Sequence, residues 1–434
     1  MVTHEQAVAI ADAWLNGSVP QERRREVRTH EFDLGWVVRA APAPPGQDPV
    51  TGGRRPPADV GDACGVVDRG TGELSTWPPV PVEEVVRMYQ EKHGGEPRYD
   101  PSLPPVTGPG NAVVFTYRDD RGEETYVNRL SEPGMPPPEV RVWTEFRWMG
   151  VRPEDVVGVH SDLYPEDLPG GYHGAFLRTT FPGAEISCSH DYGPTRAARA
   201  RGVAALVDQA EEMRRLAGQP PRPRPNRVPL PSDPGTGRPM DDALLERTLS
   251  EAFAQVQRYD ADALAGSALP EATRNTLALA GLPAVVPHFF AADTPASPPL
   301  GGLFPDAATH LRERGAAEVA ESTWEPLAGY VRIGSDGGAA VAVRCAGPDG
   351  VGQVWAVNTR SGSGRYVNRS VSDFGRCLAL LAGTLPRLRG QDPYTAGRLV
   401  AEFQDGLAAI DGSVFGGPEN WWSVVVEQMW DGLI

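Results

Sequence analysis

Cysteine is scarce in this chain: Cys64, Cys188, Cys345 and Cys377 are the only four in 434 residues, and they lie far apart. No Cys-x-x-Cys pair or other metal spacing occurs, so they read as buried or incidental thiols in a reducing compartment. Positive charge is also in short supply, with 41 Lys and Arg against 57 Asp and Glu and a formal net charge of −16. Phosphate binding needs the opposite surplus, so a chain-wide grip on nucleic acid is disfavoured and an acidic partner for basic proteins fits better. No apolar run approaches the length that spans a bilayer, and the start Met1-Val2-Thr3-His4-Glu5-Gln6 lacks the basic and apolar regions of a secretory signal. The cytoplasm is the expected location. Phosphate loops, His-Glu-x-x-His helices and G-x-S-x-G elbows are absent, and Gly334-Ser335-Asp336-Gly337-Gly338 reads as a turn. No fixed repeat period is present.

What the chain has in plenty is Gly (49) and Pro (44), used together with Ala and Arg in the manner of a high-GC genome. Its length suits roughly two to four domains. Thr3 and Gln6 have capping-box spacing ahead of an apolar helical face that includes Val8, Ala11 and Trp14. Glu31–Arg39 has strand content, Cys64–Pro78 reads as a hairpin turning at Arg69-Gly70-Thr71-Gly72, and a helix follows from Pro81. This order, with the phrases Gly35-Trp36-Val37-Val38 and Val66–Pro78, resembles the immunity protein 35 family, small YrhB-like α+β domains found beside bacterial toxins. The resemblance covers residues 1–95. A Pro-rich stretch from Pro97 to Pro109 reads as a linker.

The densest stretch chemically is Gly158–His173, which holds His160, Asp162, Glu166 and His173 around a Pro169-Gly170-Gly171 turn. It resembles the toxin-type bacterial nucleic-acid deaminases over residues 105–217, with Pro165, Pro169, Gly170, Tyr172 and the phrase Phe181-Pro182-Gly183-Ala184-Glu185 matching the scaffold. The resemblance implies an α/β/α domain in which one His and two Cys hold zinc and a Glu shuttles the proton. Here His160 stands at the His ligand position, Asp162 in place of the Glu, and Glu166 and His173 in place of the two Cys. Shortening the proton shuttle by a methylene displaces it by about 1 Å, enough to lower a rate about a hundredfold. The segment therefore reads as a deaminase-like fold that has lost its activity. The alternative is a working zinc deaminase in which His160, Glu166 and His173 ligate the metal, since imidazole and carboxylate do bind zinc, and Asp162 is the base. A third reading makes both histidines plain surface-loop residues. Arg196–Leu216 forms a long helix with Val203, Leu206, Val207, Ala210 and Met213 buried, and Arg196, Arg199 and Arg201 on its solvated face.

Residues 218–239, Pro-rich and basic, read as a flexible linker. Beyond them a strand meander, Tyr330–Gly334, Ala339–Arg344, Val351–Asn358 and Gly364–Ser370, runs directly into a helix capped by Ser370 or Ser372. Residues 240–434 resemble the fourth immunity subfamily of the SUKH superfamily, on the phrases Gly281-Leu282-Pro283, Val354–Asn358 and Arg365–Leu381. That resemblance implies a module that holds a toxin on one face of its sheet. Tyr330, Arg332, Arg344 and Tyr366 are the candidate partner-binding side chains, with Trp421 and Trp422 as further anchors or core. Three tandem α+β domains are thus predicted: residues 1–95, 105–217 and 240–434. The expected function is a cytoplasmic immunity protein that neutralises a basic toxin, without cofactor unless zinc occupies the deaminase-like site. A toxin fused to its own immunity modules is the third option. Residues 240–434 alone are expected to carry most of the affinity for the toxin.

Overall fold

The computed structural model describes residues 2–17, 19–21, 24–32, 34–41, 64–69, 72–93, 99–231, 235, 237–313, 327–358 and 362–434. The chain divides into two compact units, Met1–Arg98 and Tyr99–Ile434. No helix among the described residues is long and apolar enough to cross a membrane.

In the first unit helix α1 (His4–Asn16) begins at the expected capping box, with Thr3 Oγ1 accepting from Gln6 N and Gln6 Oε1 accepting from Thr3 N. Strands β1 (Val27–Phe32), β2 (Gly35–Ala40), β3 (Cys64–Asp68) and β4 (Leu74–Trp77) form an antiparallel meander, followed by α2 (Val82–His93). The stretch predicted as one strand, Glu31–Arg39, is instead a tight hairpin in which Phe32 pairs with Gly35. Asp33 lies outside the described residues, as do Gly70 and Thr71 of the expected second turn. Alternation along β2 sends Trp36 and Val38 to α1, where they meet Ala7 and Ala11, and Val37 to α2, where it meets Val85 and Tyr89. A sheet covered on both faces explains why β2 reads as an uninterrupted apolar run.

The second unit opens with a hairpin, β5 (Ala112–Arg118) and β6 (Glu124–Leu130), then α3 (Pro138–Met149), β7 (Val156–Leu163), α4 (His173–Thr180), β8 (Glu185–His190) and α5 (Arg196–Leu216). The sheet order is β6-β5-β7-β8, with β7 and β8 parallel and the other pairs antiparallel. Val113, Phe115 and Tyr117 alternate onto one face, where Phe115 meets Phe146 of α3 and Phe181 edge to face at 5.8 and 5.5 Å. The other face carries Tyr126, His160, Ser187 and Ser189, all exposed.

The rest of the unit comprises α6 (Asp242–Ala252), β9 (Val256–Gln257), α7 (Ala261–Ala265), α8 (Glu271–Leu279), β10 (Leu282–Pro283), β11 (Val285–Val286), β12 (Phe290–Ala292) and α9 (Ala307–Glu313). Strands β13 (Tyr330–Ser335), β14 (Ala339–Arg344), β15 (Val354–Asn358) and β16 (Gly364–Asn368) complete a six-stranded antiparallel sheet in the order β11 to β16. Three helices follow, α10 (Val371–Leu388), α11 (Pro393–Asp411) and α12 (Trp421–Asp431). Ser370 caps α10, its hydroxyl accepting from Asp373 N, which decides between the two predicted caps. Val331, Ile333, Val341, Val343 and Ala356 pack with Phe374, Leu378, Phe403 and Trp422 in one large core.

That core continues into the segment ahead of it. Leu163, Leu168, Tyr192, Val203 and Leu206 belong to the same cluster as Trp430, Leu433 and Ile434, so the regions predicted as 105–217 and 240–434 share one interior. Every residue of α12 is buried, and a helix buried all round has neighbours on every side. Trp421 and Trp422 are both core side chains, at 1% and 0% exposure, and not interface anchors. Arg199, expected on the wet face of α5, is fully buried: its guanidinium donates to Glu427 at 2.7 and 3.1 Å and to Glu419 at 3.2 and 3.3 Å. Met213, expected inside, is exposed. The seam is closed by backbone as well, since Gly108 N and Gly110 N donate to the carbonyls of Trp430 and Asp431, and Ser131 Oγ donates to Gly432 O at 2.6 Å.

Both Pro-rich stretches are fastened to this unit over their described parts. Asn226, buried, donates to the carbonyls of Asp100, Leu103 and Pro104 and accepts from Asp100 N, so one side chain staples the two together. Arg227 pairs with Asp431, and Pro229 O accepts from Gln404 at 2.8 Å. Residues 218–231 therefore form a strap with specific contacts, which a flexible spacer would lack; Pro97 and residues 232–234 and 236 lie outside the described residues.

Removing one partner of a buried ion pair leaves an uncompensated charge, at about 3–5 kcal/mol, whereas replacing both by apolar residues is close to neutral. Arg199→Met should thus lower the unfolding free energy of the unit by about 3–5 kcal/mol in urea melts, and Arg199→Met with Glu427→Met should recover most of it. Residues 240–434 expressed alone would expose α12, and contrary to the expectation above should lack a cooperative melt, whereas residues 99–434 should keep one by circular dichroism.

Candidate functional site

The concave centre of the 99–217 region lies where α3 and α4 begin. Helix α3 starts Pro137-Pro138-Glu139; proline suits the first helical position, and an acid in the first turn is favoured by the helix dipole. Helix α4 starts at His173, after a loop that crosses from β7 by way of Pro165 and Pro169. The two helix starts bring Glu139 Oε1 within 3.3 Å of His173 Nδ1. Glu139 is 1% exposed and the His173 side chain 13%. Glu139 Oε2 and His173 Nε2 are buried without a hydrogen-bond partner. A small cavity beside the pair is lined by Asn111, Ser131, Tyr164, Glu166, Gln428 and Leu433 among others.

Backbone geometry holds this arrangement. Tyr172, just before α4, has φ +47, a left-handed conformation that costs a non-glycine residue free energy unless its surroundings impose it. The surroundings do so: Tyr172 Oη donates to Asp336 Oδ2 at 2.7 Å, and its ring lies where a Cβ on Gly338 would stand, 2.2 Å away. Asp336 is itself buried in the β13–β14 turn, accepting from Trp421 Nε1 and from the amides of Gly338 and Ala339. Burial pushes its carboxyl above the ordinary value, against the hydrogen bonds from Trp421 and Tyr172. A Cβ on Gly171 would stand 2.5 Å from His173 Nε2, so glycine is what admits the imidazole.

The residues singled out from sequence are divided by the sheet. His160 lies on β7 pointing to the open face, its ring nitrogens 3.0 and 3.1 Å from Ser187 Oγ and Ser189 Oγ. Asp162, two residues on along the same face, accepts from Ala112 N at 3.0 Å. His173 belongs to the helical face behind the sheet, where Leu177 of α4 joins the core. Glu166 lines the cavity with His173, but its Oε1 accepts from Asp167 N. Among the described residues no three His, Cys, Asp or Glu side chains gather so as to hold a metal ion. The set His160, Glu166 and His173 does not fit zinc, because period-two alternation puts His160 on the opposite side of the sheet from the pair it was to join. His173 is not a surface-loop histidine either. Glu139 is the site residue missed from sequence; its signal was an acid placed directly after two helix-starting prolines.

Comparison with known families assigns all three regions. Residues 5–95 match the immunity protein 35-like domain, residues 108–209 the Xanthomonas-like deaminase, and residues 244–428 the SUKH-4 immunity protein. The chain joins two immunity-protein segments to a deaminase-like one. No curated protein and no solved structure matches it. In the SUKH-4 segment the four candidate partner-binding side chains share one sheet face, where Tyr330 pairs with Arg344 and Trp355 with Tyr366. Trp355 stands edge to face between Tyr330 (6.2 Å) and Tyr366 (5.5 Å), a residue that sequence reasoning left out. Arg332 is engaged internally, bonded through two nitrogens to Asp293 at 2.8 and 2.9 Å and lying 3.2 Å from His310 Nε2. Arg344 donates to Ala346 O, and Tyr366 Oη is 2.6 Å from Ser413 Oγ.

The Glu139–His173 pair has a defined pH signature. Burial alone would push His173 down, yet the Glu139 carboxylate outweighs it and holds the imidazole above its ordinary value. Burial would raise Glu139, and the His173 charge and hydrogen bond bring it below. A raised His contributes stability that is complete below the unfolded value of about 6.5 and is lost as pH rises through the folded one. A depressed Glu contributes stability that is lost as pH falls below about 4.3. His288, pushed down by burial and by the His173 charge, slopes the other way. Thermal melts should therefore show a limb of falling Tm above about pH 6.5 that is absent in His173→Gln; an unchanged limb in that variant would remove the pair as its source.

Proposed function

We propose that this chain is a cytoplasmic bacterial immunity protein that binds a toxin of the nuclease or deaminase kind and blocks it sterically, with a deaminase-like segment that turns over no substrate. The observation that carries the reading is the division of the candidate site by the sheet. Deaminase chemistry needs its metal ligands and proton-shuttling carboxylate gathered at one point, whereas here His160 and Asp162 lie on one face and His173 on the other, bound to Glu139. Two immunity-protein segments flanking it supply the positive half of the argument. The net charge of −16 favours a basic toxin, because opposite charges speed encounter. Nucleic acid and membrane are not partners in this reading, and no cofactor is required. For the SUKH-4 segment the contact surface we propose is the sheet face of Tyr330, Arg344, Trp355 and Tyr366; Arg332 is set aside because Asp293 already holds it.

The test is protection of a bacterial host that expresses a nuclease or deaminase toxin domain encoded beside this chain's gene. Co-expression of the chain should restore growth, and Trp355→Ala with Tyr366→Ala, which also removes packing against α9 and lowers Tm, should weaken binding to the purified toxin at least tenfold at a temperature where the variant keeps its cooperative melt. Failure to protect, together with release of ammonia from cytosine or adenine substrates that Glu139→Gln or His173→Ala abolishes, would replace the reading with an enzymatic one.

A further inference from the structure

The Glu139–His173 cavity is not closed by the deaminase-like segment alone. Gln428, where the SUKH-4 match ends, and Leu433, five residues past it, form part of its wall. Gln428 Nε2 donates to Pro169 O at 2.6 Å, in the loop that leads to His173. A Cβ on Gly170 would stand 2.6 Å from Ile434 Cδ1, so Ile434 lies directly on that loop. Around this contact the same C-terminal stretch is tied down on three sides: Glu427 to Arg199, Asp431 to Tyr192 Oη at 2.9 Å, and Gly432 O to Ser131. Inside lie two buried polar atoms without partners, Glu139 Oε2 and His173 Nε2. An acceptor and an imidazole nitrogen left unpaired in a low-dielectric chamber are costly for the fold alone, and are the groups through which a small hydrogen-bonding molecule would be held.

We propose that residues Gln428–Ile434 are an intramolecular cover that keeps the Glu139–His173 chamber shut, so that the deaminase-like segment is held in a blocked state by the stretch that starts where the SUKH-4 match ends. The recognition is in cis, through α12 and the β13–β14 turn, whose Asp336 fixes Tyr172 and with it the start of α4. This holds whether or not a separate toxin binds elsewhere on the chain. It also separates two properties of the segment: a metal site its residues do not build, and a small chamber with two unpartnered polar atoms that they do.

The test is chemical access to His173 in the full chain, with diethyl pyrocarbonate as the probe and peptide mass spectrometry as the readout. His173 should be labelled at least tenfold more slowly than the exposed His30 and His160. Deleting Leu433 and Ile434 should raise the His173 rate at least tenfold and leave those of His30 and His160 unchanged. Should the deletion not fold by circular dichroism, Gln428→Ala, which removes one hydrogen bond and part of the wall, decides with an expected rise of at least threefold. Rapid labelling of His173 in the intact chain overturns the proposal. So does an unchanged His173 rate in either variant that retains a cooperative melt.

Discussion

A guanidinium with no access to water is the constraint on which the unit from Tyr99 to Ile434 depends. Arg199 cannot be buried without partners, because an isolated charge in the interior costs several kcal/mol or more even after relaxation. Its helix supplies no acid to meet it, and the residues just before the helix only the carbonyl of Pro194. The carboxylates come from Glu419 and Glu427, more than two hundred residues further on, in the turn just before α12 and within α12 itself. The folded state of α5 therefore requires α12 in place, and α12, buried on every side, requires α5 and β7 in return. Arg365 bonding the same Glu419 carries this requirement on to the edge strand of the SUKH-4 sheet. Two segments that match different families thus share one core and one buried ion pair.

The same dependence reaches the candidate site through one residue. Tyr172 holds a conformation it would not keep by itself, and what keeps it there is Asp336, in a turn of the other segment. Because Tyr172 immediately precedes α4, its dihedral angles set where the first residue of that helix points, and that residue is His173. A change at Gly338 or Asp336 would therefore act on His173 without touching it. Glu139 completes the arrangement: buried carboxylate and buried imidazole stabilise each other's charged forms in a medium where neither would keep its charge alone.

Much of the architecture was legible because local signals agreed with the tertiary outcome. The Thr3–Gln6 capping box, the bounds of α5, the hairpin phrases and the meander all follow from residue pattern, and the three family resemblances rest on those same phrases. The site was less legible, for a geometric reason. His160, Asp162 and His173 are near neighbours in sequence, and closeness in sequence was taken as closeness to one point; on a strand, the face on which a side chain lies outranks its distance along the chain. Glu139 was passed over since it lies 34 residues from His173 and only the packing of α3 beside α4 unites them. Arg199 was misjudged because an arginine on a helix is normally solvated, and the acids that bury it are remote. The Pro-rich strap was read as a spacer from composition alone, whereas Asn226 within it carries the hydrogen bonds that dock it.

Occupation of the helical side in cis narrows what the SUKH-4 segment can offer a partner. Its α12 has no uncovered face, and the turn holding Asp336 is taken up by Tyr172. On the proposed reading a toxin is left with what α9 and Leu327 leave uncovered on the other side of the meander, where the half-buried Trp355 stands between Tyr330 and Tyr366. Rings already set edge to face have little rotamer freedom left to lose, so covering them gains apolar area at a low cost in ordering. Arg332 lies on that face yet is withdrawn from it, since a guanidinium bound through two nitrogens to Asp293 would have to break a largely buried pair before it could meet a carboxylate from outside. Recognition there would rest on aromatic contact first and on charge second, with the acidic total of the chain acting at long range to bring a basic partner to the surface and the three rings fixing it once it arrives.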